Sequence, residues 1–88
     1  MTEQTVTVVN RAGIHARPAA ILVQAAKDYK CSIYFEKGND RINAKSIMGI
    51  ITLGAAYGTE VKIIAEGEGE EAAVQTLISL FKSKFEEE

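Results

Sequence analysis

The chain has 88 residues, of which 47% are hydrophobic and 25% charged, with a formal net charge of −2. That length suits one small two-layer domain, residues 1–88, and the balanced composition argues against a disordered chain. No apolar run approaches the roughly 20 residues that cross a bilayer, and no signal-peptide pattern follows Met1. We therefore expect a cytoplasmic protein without membrane insertion, and the single cysteine, Cys31, agrees with a reducing compartment.

A strand is predicted first, over Thr5–Val9. All of its residues are β-branched, and Val6 and Val8 alternate with Thr5 and Thr7. Turn residues from Asn10 to Gly13 end the strand. His15, the only histidine, then stands at the start of a predicted helix that runs from about Ala16 to Asp28. Apolar residues recur at helical spacing in this helix, at Ala19, Leu22, Val23 and Ala26. Pro18 suits its first turn, where a missing N–H and a fixed φ are tolerated.

The middle of the chain predicts a hairpin, a short helix and a further strand. Apolar and polar residues alternate on both sides of the turn Lys37–Asp40, as in a β-hairpin. Ser46 stands where a capping serine would introduce a short apolar helix over Ile47–Leu53. Alternation over Val61–Ala65 then predicts another strand.

A last helix follows the break at Gly67–Gly69. Its apolar residues repeat at helical spacing, at Val74, Leu77, Ile78, Phe81 and Phe85. Glu70 and Glu71 lie at its N-terminal end, where the helix dipole favours negative charge. The short acidic run at residues 86–88 is expected to be solvated.

The predicted order is β-α-β-β-α-β-α, within a single α+β domain. Each helix has one apolar stripe and each strand one apolar face. One sheet with the helices on one of its faces, a two-layer open-faced sandwich, is therefore the economical architecture.

The chemistry of the chain centres on His15. The sequence has no second histidine, no His/Cys cluster at metal-ligand spacing, no phosphate-binding Gly-x-x-x-x-Gly-Lys loop and no Gly-x-Ser-x-Gly elbow. We therefore predict no metal and no cofactor. A neutral imidazole is a competent nucleophile, and a helix N-terminus with Arg17 beside it would stabilise an attached phosphoryl group. A lone histidine can also be structural, but the context of Gly13, Arg17 and Pro18 favours the functional interpretation.

Charge is distributed unevenly along the chain. Residues 1–45 carry seven Lys and Arg against four acids, whereas residues 46–88 carry three against eight. The basic half contains His15, but it lacks the aromatic and basic interleaving of a nucleic-acid interface. We therefore predict an acidic protein partner and no direct nucleic-acid binding.

Two further features have alternative interpretations. Ser46 can be a helix cap, a phosphorylation site, or both. The apolar run after it exceeds one buried stripe, so Ile47, Met48 and Ile51 either pack in the core or form an exposed patch for partners.

Two motifs together resemble a known family. Gly13–Ile14–His15–Ala16–Arg17–Pro18–Ala19, with Lys45–Ser46–Ile47–Met48–Gly49 further on, is similar to HPr, the histidine-containing phosphocarrier family of the bacterial sugar phosphotransferase system. Length, motif spacing and element order agree from about Thr5 to Phe85. The family's four-stranded antiparallel sheet with three helices on one face is what the resemblance implies for the fold.

The resemblance also implies roles for single residues. His15 would accept a phosphoryl group on the ring nitrogen nearer the backbone, Arg17 would assist the transfer, and the backbone of Ala16 and Arg17 would bind the phosphate. Ser46 would be the regulatory phosphorylation site. The partner-binding surface would comprise Ala20, Ile47, Met48 and Ile51.

Partners follow from the same resemblance. Enzyme I, charged by phosphoenolpyruvate, would donate the phosphoryl group, and IIA components of sugar permeases would receive it. HPr kinase/phosphorylase would act on Ser46, linking the protein to carbon catabolite control and a catabolite-control transcription regulator. The protein would be a monomer and a transfer intermediary rather than a free-standing enzyme. The alternative is a regulatory binding protein of the same fold that acts mainly through phosphorylated Ser46.

Overall fold

A computed structural model describes residues 1–86. Its elements are β1 (Thr2–Thr7), α1 (Ala16–Lys27), β2 (Ser32–Lys37), β3 (Asp40–Asn43), α2 (Ile47–Leu53), β4 (Glu60–Glu66) and α3 (Glu70–Lys82), followed by a 3-10 turn at Lys84–Glu86. This confirms the predicted β-α-β-β-α-β-α order. The predicted solvation of the acidic run at residues 86–88 is not tested, because Glu87 and Glu88 lie outside the described residues.

The four strands form one antiparallel sheet in the order β1-β4-β2-β3. Strand β4, one of the two inner strands, pairs with β1 through Val6 opposite Val61 and with β2 through Phe35 opposite Ile63. These four side chains are buried, and they lie on one face because they occupy paired register positions. That face receives the helices.

The core lies between this sheet face and the apolar stripes of the three helices. The stripe of α1 is the predicted one, and α3 contributes Val74, Leu77 and Phe81. Phe81 meets Phe35 of β2 edge to face, with ring centroids 6.0 Å apart. Burying an aromatic or branched side chain stabilises the fold by roughly 1.5–3 kcal/mol, so this layer holds the sheet to α3.

Two predicted boundaries were wrong. The first strand is β1, Thr2–Thr7, rather than Thr5–Val9, because pairing with β4 continues to Ala65 through polar residues that carry no alternation signal. The last helix ends at Lys82 and does not reach Phe85. Lys84 and Phe85 take left-handed backbone conformations, with φ of 57° and 56°. That turn brings the Phe85 ring onto Phe81 at 5.1 Å, where it is buried.

The start of β1 is tied to the start of α3. Thr2 Oγ1 donates to Glu70 Oε2 at 2.6 Å, and the Met1 amino group lies 3.0 Å from the same oxygen. Gly67 N donates to Glu70 Oε1 at 2.9 Å. The Thr2 hydroxyl, the Gly67 amide and the Met1 amino group lower the pKa of Glu70 from its usual 4.5 to about 2. This carboxylate joins the edge strand to the last helix.

Candidate functional site

The loop before α1 requires a glycine at position 13. Gly13 is buried and adopts φ +74°, a left-handed conformation that side chains disfavour. A Cβ atom there would lie 3.0 Å from the Ala55 carbonyl oxygen and 3.1 Å from Ala56 Cα. The loop that precedes His15 is therefore pressed against the backbone that follows α2.

Hydrogen bonds fix the same loop. Ile14 N donates to the Ala55 carbonyl at 2.9 Å, and Gly13 N donates to the Asn10 carbonyl at 3.0 Å. Asn10 is fully buried, and its side-chain amide donates to the Gly13 carbonyl at 2.7 Å. Sequence reasoning treated Asn10 as a turn residue only. Its buried role emerges when the 54–59 segment closes over the loop.

His15 lies at the N-cap of α1. Its backbone is extended, with φ −104° and ψ −161°, and its carbonyl accepts from Ala19 N at 3.0 Å. The imidazole does not serve as the helix cap, and the residue is exposed. The predicted position of His15 at a helix start is confirmed.

The first turn of α1 presents groups suited to an anion. In an α-helix the first-turn amides have no acceptor within the helix, and the dipole places partial positive charge there. Here that turn consists of Ala16, Arg17 and Pro18 and contains no acidic residue. Pro18, which is buried, has no N–H to satisfy, while Ala16 and Arg17 are exposed beside His15.

The segments that carry the predicted site contain no acidic residue. None of the chain's 12 Asp and Glu residues falls within residues 4–27 or 41–59, the two segments that build the His15 loop, α1, α2 and the loop after α2. The cations Arg11, Arg17, Lys27, Arg41 and Lys45 lie in the same segments. The electrostatic surroundings therefore favour an incoming negative group and an acidic partner surface.

Ser46 is the N-cap of α2, as predicted. Its Oγ accepts from Gly49 N at 3.0 Å, and its own carbonyl accepts from Ile50 N at 3.1 Å. Gly49 leaves room for this contact, since a Cβ there would lie 3.3 Å from Ser46 Oγ. The side chain of Lys45, the residue before Ser46, is held at the end of α1, because its Nζ donates to the Tyr29 carbonyl at 2.7 Å.

The apolar run of α2 divides into two faces. Ile50 and Leu53 are buried, whereas Met48 is 69% exposed and Ile47 and Ile51 are also exposed. Of the two interpretations open to the sequence, the exposed patch is the one found. Ala20 is exposed on α1, and α1 packs against α2.

The predicted site residues thus fall into two groups on neighbouring elements. His15, Ala16, Arg17 and Ala20 occupy the first two turns of α1, and Ser46 with the apolar patch occupies α2. The contact between Ile14 and Ala55 joins the loop before α1 to the segment after α2. The two elements that carry the predicted site residues, α1 and α2, therefore pack against each other.

The surface depressions described next do not include His15. A depression of about 390 Å³ between the β2–β3 turn and the end of α2 is lined by Asn39, Asp40, Arg41, Ile42, Thr52 and Leu53. His15 borders neither this depression nor a second one on the open sheet face. His15 is exposed at the start of α1, which suits contact with a protein.

Among residues 1–86, no three His, Cys, Asp or Glu side chains are grouped so that they could hold a metal ion. No helix there is long and apolar enough to cross a membrane.

Comparison with known proteins gives one consistent family. The family model described as the phosphorylation site of the PTS HPr component matches residues 2–83. The phosphocarrier protein HPr of Treponema pallidum is 48% identical over 88 residues, covering 100% of both chains. The HPr-like protein Crh of Bacillus subtilis is 44% identical over 77 residues, covering 88% of this chain and 91% of Crh.

The fold has a close experimental counterpart. The crystal structure of HPr-C-His from Thermoanaerobacter tengcongensis superposes with a TM-score of 0.96 at 50% sequence identity. The match covers 100% of this chain and 99% of that one. The sheet and helices described above are therefore shared along the whole length.

Proposed function

Because the chain belongs to the HPr family of phosphocarrier proteins of the phosphotransferase system, we propose that it carries a phosphoryl group on His15. The donor is phosphorylated enzyme I, and the acceptors are IIA components of sugar permeases. The observation that carries the proposal is an exposed imidazole at the N-terminus of a helix whose first turn holds no acid. The protein is then a transfer intermediary, with no bound cofactor needed for this step.

The transfer step follows from the local chemistry. The neutral ring nitrogen of His15 nearer the backbone, Nδ1, attacks the phosphorus of the donor, and an N–P bond forms. The bond between phosphorus and the donor breaks, and the donor keeps the electron pair. The first-turn amides of α1 and the Arg17 guanidinium stabilise the charge on the phosphoryl oxygens.

The exposure of His15 supports a relay rather than a free-standing catalyst. A carrier must present the same atom first to a donor and then to an acceptor, so that atom has to stand on an open surface. The acid-free segments 4–27 and 41–59 favour acidic partner surfaces around it. The apolar patch formed by Ile47, Met48 and Ile51, with Ala20 on α1, supplies the neighbouring docking area.

Ser46 gives this function a regulatory input. HPr kinase/phosphorylase adds a phosphate to the Ser46 hydroxyl, placing about −2 charge at the N-terminus of α2 beside the docking patch. The helix dipole tolerates that charge, so the fold persists while acidic partners are repelled. Cytoplasmic location, a monomeric state and a link to a catabolite-control transcription regulator belong to this proposal.

A second role has its own support. The likeness to Crh over 88% of the chain favours a regulatory binding protein that acts mainly through phosphorylated Ser46. The two roles differ at His15, because a purely regulatory protein needs no phosphoryl acceptor there. Labelling of His15 therefore decides between them.

The first experiment incubates the protein with enzyme I and labelled phosphoenolpyruvate. We expect one phosphate per chain, labile in acid, and none in the His15→Ala variant, whose unfolding midpoint should match wild type because the residue is exposed. An acid-stable product, or label that survives His15→Ala, contradicts the carrier role.

A second experiment tests Ser46. HPr kinase/phosphorylase with ATP should label wild type and not Ser46→Ala. The labelled protein should then accept phosphate from enzyme I at least tenfold more slowly, because the added charge faces an acidic partner. Equal rates before and after Ser46 labelling would exclude the regulatory input.

A further inference from the structure

The sulfur-bearing side chains of this protein, one cysteine and two methionines, differ sharply in exposure. Cys31 is 2% exposed, whereas Met1 is 72% and Met48 is 69% exposed. Oxidation of sulfur requires that the oxidant reach it, so the buried thiol is shielded although thiols react more readily than thioethers. The sulfur chemistry open to solvent is therefore that of the two methionines.

The two methionines have different surroundings. Met1 precedes β1 and lies beside the carboxylate of Glu70, at the opposite end of that strand from the loop that leads to His15. The six residues of β1 span about 20 Å. Met48 lies instead on α2, between the exposed side chains of Ile47 and Ile51. A polar group added to the Met48 sulfur therefore changes an apolar surface, whereas the same group on Met1 is added to a polar one.

Met48 is anchored through its main chain. Its carbonyl accepts from Thr52 Oγ1 at 2.6 Å within α2, while its side chain stands in solvent. The buried face of the same helix consists of Ile50 and Leu53. Chemical change at the Met48 sulfur therefore alters the surface of α2 and leaves its packed face in place.

We propose that Met48 is a site of reversible oxidation to methionine sulfoxide, and that this modification lowers the affinity of the protein for its phosphoryl donor. The inference rests on the proposed function, because its consequence is measured in transfer from enzyme I. A sulfoxide is polar, and burying a polar group without a hydrogen-bond donor costs free energy. The neighbours Ile47 and Ile51 offer no side-chain donor to the new oxygen.

The oxidant is a peroxide, and the step is balanced. A lone pair on the thioether sulfur of Met48 attacks one oxygen of hydrogen peroxide, so that an S–O bond forms and the O–O bond breaks. The other oxygen leaves with the electron pair and both protons as water. Sulfur is oxidised by two electrons and peroxide is reduced by two. Methionine sulfoxide reductases with a thiol reductant reverse the change.

The experiment oxidises this protein alone, removes the peroxide, and only then adds enzyme I and phosphoenolpyruvate. Mass spectrometry of proteolytic fragments measures the added oxygen at Met1, Cys31 and Met48 separately. With this protein as the varied substrate, oxidised wild type should show KM raised roughly fivefold and kcat within about twofold. Treatment with sulfoxide reductases of both stereospecificities should restore the original KM. The unfolding midpoint should not change, because Met48 is exposed.

Three variants assign the effect, each compared with its own untreated sample. Met48→Leu retains Met1 and Cys31, and its KM should not respond to peroxide. Cys31→Ala retains both methionines, and its KM should rise as in wild type. Met48→Gln carries a permanent polar group without sulfur, so its KM should exceed that of Met48→Leu roughly fivefold before treatment and stay constant afterwards.

Three results overturn the inference while leaving the carrier role intact. The first is an unchanged KM after Met48 has been converted to the sulfoxide. The second is a Met48 that stays unmodified when Met1 is fully oxidised. The third is an equal rise in KM for Met48→Leu, which would assign the effect to Met1 or Cys31. Failure of untreated wild type to take up acid-labile phosphate overturns the proposed function, and this inference with it.

Discussion

The N-termini of α1 and α3 differ in charge: α3 begins with acidic residues and α1 does not. The first turn of α3 contains Glu70 and Glu71, and Glu70 binds the Gly67 amide, the Thr2 hydroxyl and the Met1 amino group. The first turn of α1 contains no acid, and the residue at its N-cap is His15. Both helices contribute side chains to the same core, so packing alone does not dictate the difference.

The acid at the start of α3 serves stability, whereas the acid-free start of α1 is suited to function. An anion stabilises a helix start, and α3 obtains its anion from its own chain. Under the proposed function, the corresponding position on α1 receives an anion from outside, the phosphoryl group on His15. A helix start without an acid beside an exposed nucleophile is therefore more informative than either feature alone.

Placing an acid in the first turn of α1 should have the largest effect on transfer. Ala16→Glu would make this end resemble that of α3, and the carboxylate would repel a phosphoryl group a few Å away. We expect the rate of His15 phosphorylation to fall roughly a hundredfold, an estimate from charge repulsion near a protein surface. Stability should be unchanged or higher by about 0.5 kcal/mol.

Ala16→Gln is the matched control, since it has nearly the same size and no charge. Its transfer rate should stay within about threefold of wild type, measured with enzyme I and labelled phosphoenolpyruvate. Equal losses in the two variants would mean that bulk, rather than charge, limits the site.

Gly13→Ala should displace the start of α1. Left-handed φ costs an alanine about 1–2 kcal/mol, and the contact with the Ala55 carbonyl adds to this. We expect a loss of about 2–4 kcal/mol in urea unfolding, with slower transfer to His15. Gly38→Ala, at φ +60° with open space around the added Cβ, should lose only about 1 kcal/mol. Equal losses would remove the role assigned to the Ala55 contact.

The start of α2 is intermediate, because a neutral hydroxyl caps it. Ser46→Ala removes the acceptor for Gly49 N and should cost about 1 kcal/mol. Ser46→Asp keeps an acceptor, so its stability should stay close to that of wild type. Urea unfolding of both variants checks this, and an unaffected Ser46→Ala would show that the hydrogen bond to Gly49 contributes little.

Glu70→Gln, which makes α3 more like α1, should have the smallest effect, confined to a pH window. The pKa of Glu70 is lowered from 4.5 to about 2, so its stabilisation is present above pH 4.5 and is lost as pH falls towards 2. Unfolding midpoints measured from pH 7 to pH 2 should fall less steeply in Glu70→Gln than in wild type.

Glu71→Gln removes the same charge one residue further along α3. It should retain the wild-type slope between pH 4.5 and 2. An equal flattening in both variants would assign the effect to net charge rather than to the contacts of Glu70.

Local patterns predicted most of this arrangement. Helical spacing predicted the apolar stripes of α1 and α3. Ser46 was predicted as a helix cap because a serine directly before an apolar helical run can accept a hydrogen bond from the first turn. The motif around His15 placed the imidazole at a helix start. The division of α2 into Ile50 inside and Met48 outside was left open, because a short apolar run carries no preferred face of its own.

The remaining features depend on contacts between distant segments. Phe85 follows Phe81 by four residues, as in a helix, but the chain reaches it through a left-handed turn. The spacing of apolar residues does not distinguish this turn from a continued helix. β1 begins at Thr2 because β4 pairs with it, and its polar residues give no sign of this. Asn10 acquires its buried position only when the loop before α1 and the segment after α2 close on each other at Gly13.

In the proposed function, the phosphoryl group on His15 occupies the N-terminus of α1. Comparison of ¹H–¹⁵N spectra before and after phosphorylation by enzyme I tests this placement most directly. The amide signals of Ala16 and Arg17 should shift downfield more than any others, because those N–H groups donate to the phosphoryl oxygens. Unchanged signals at Ala16 and Arg17, with the largest shifts at α2 or α3, would contradict it.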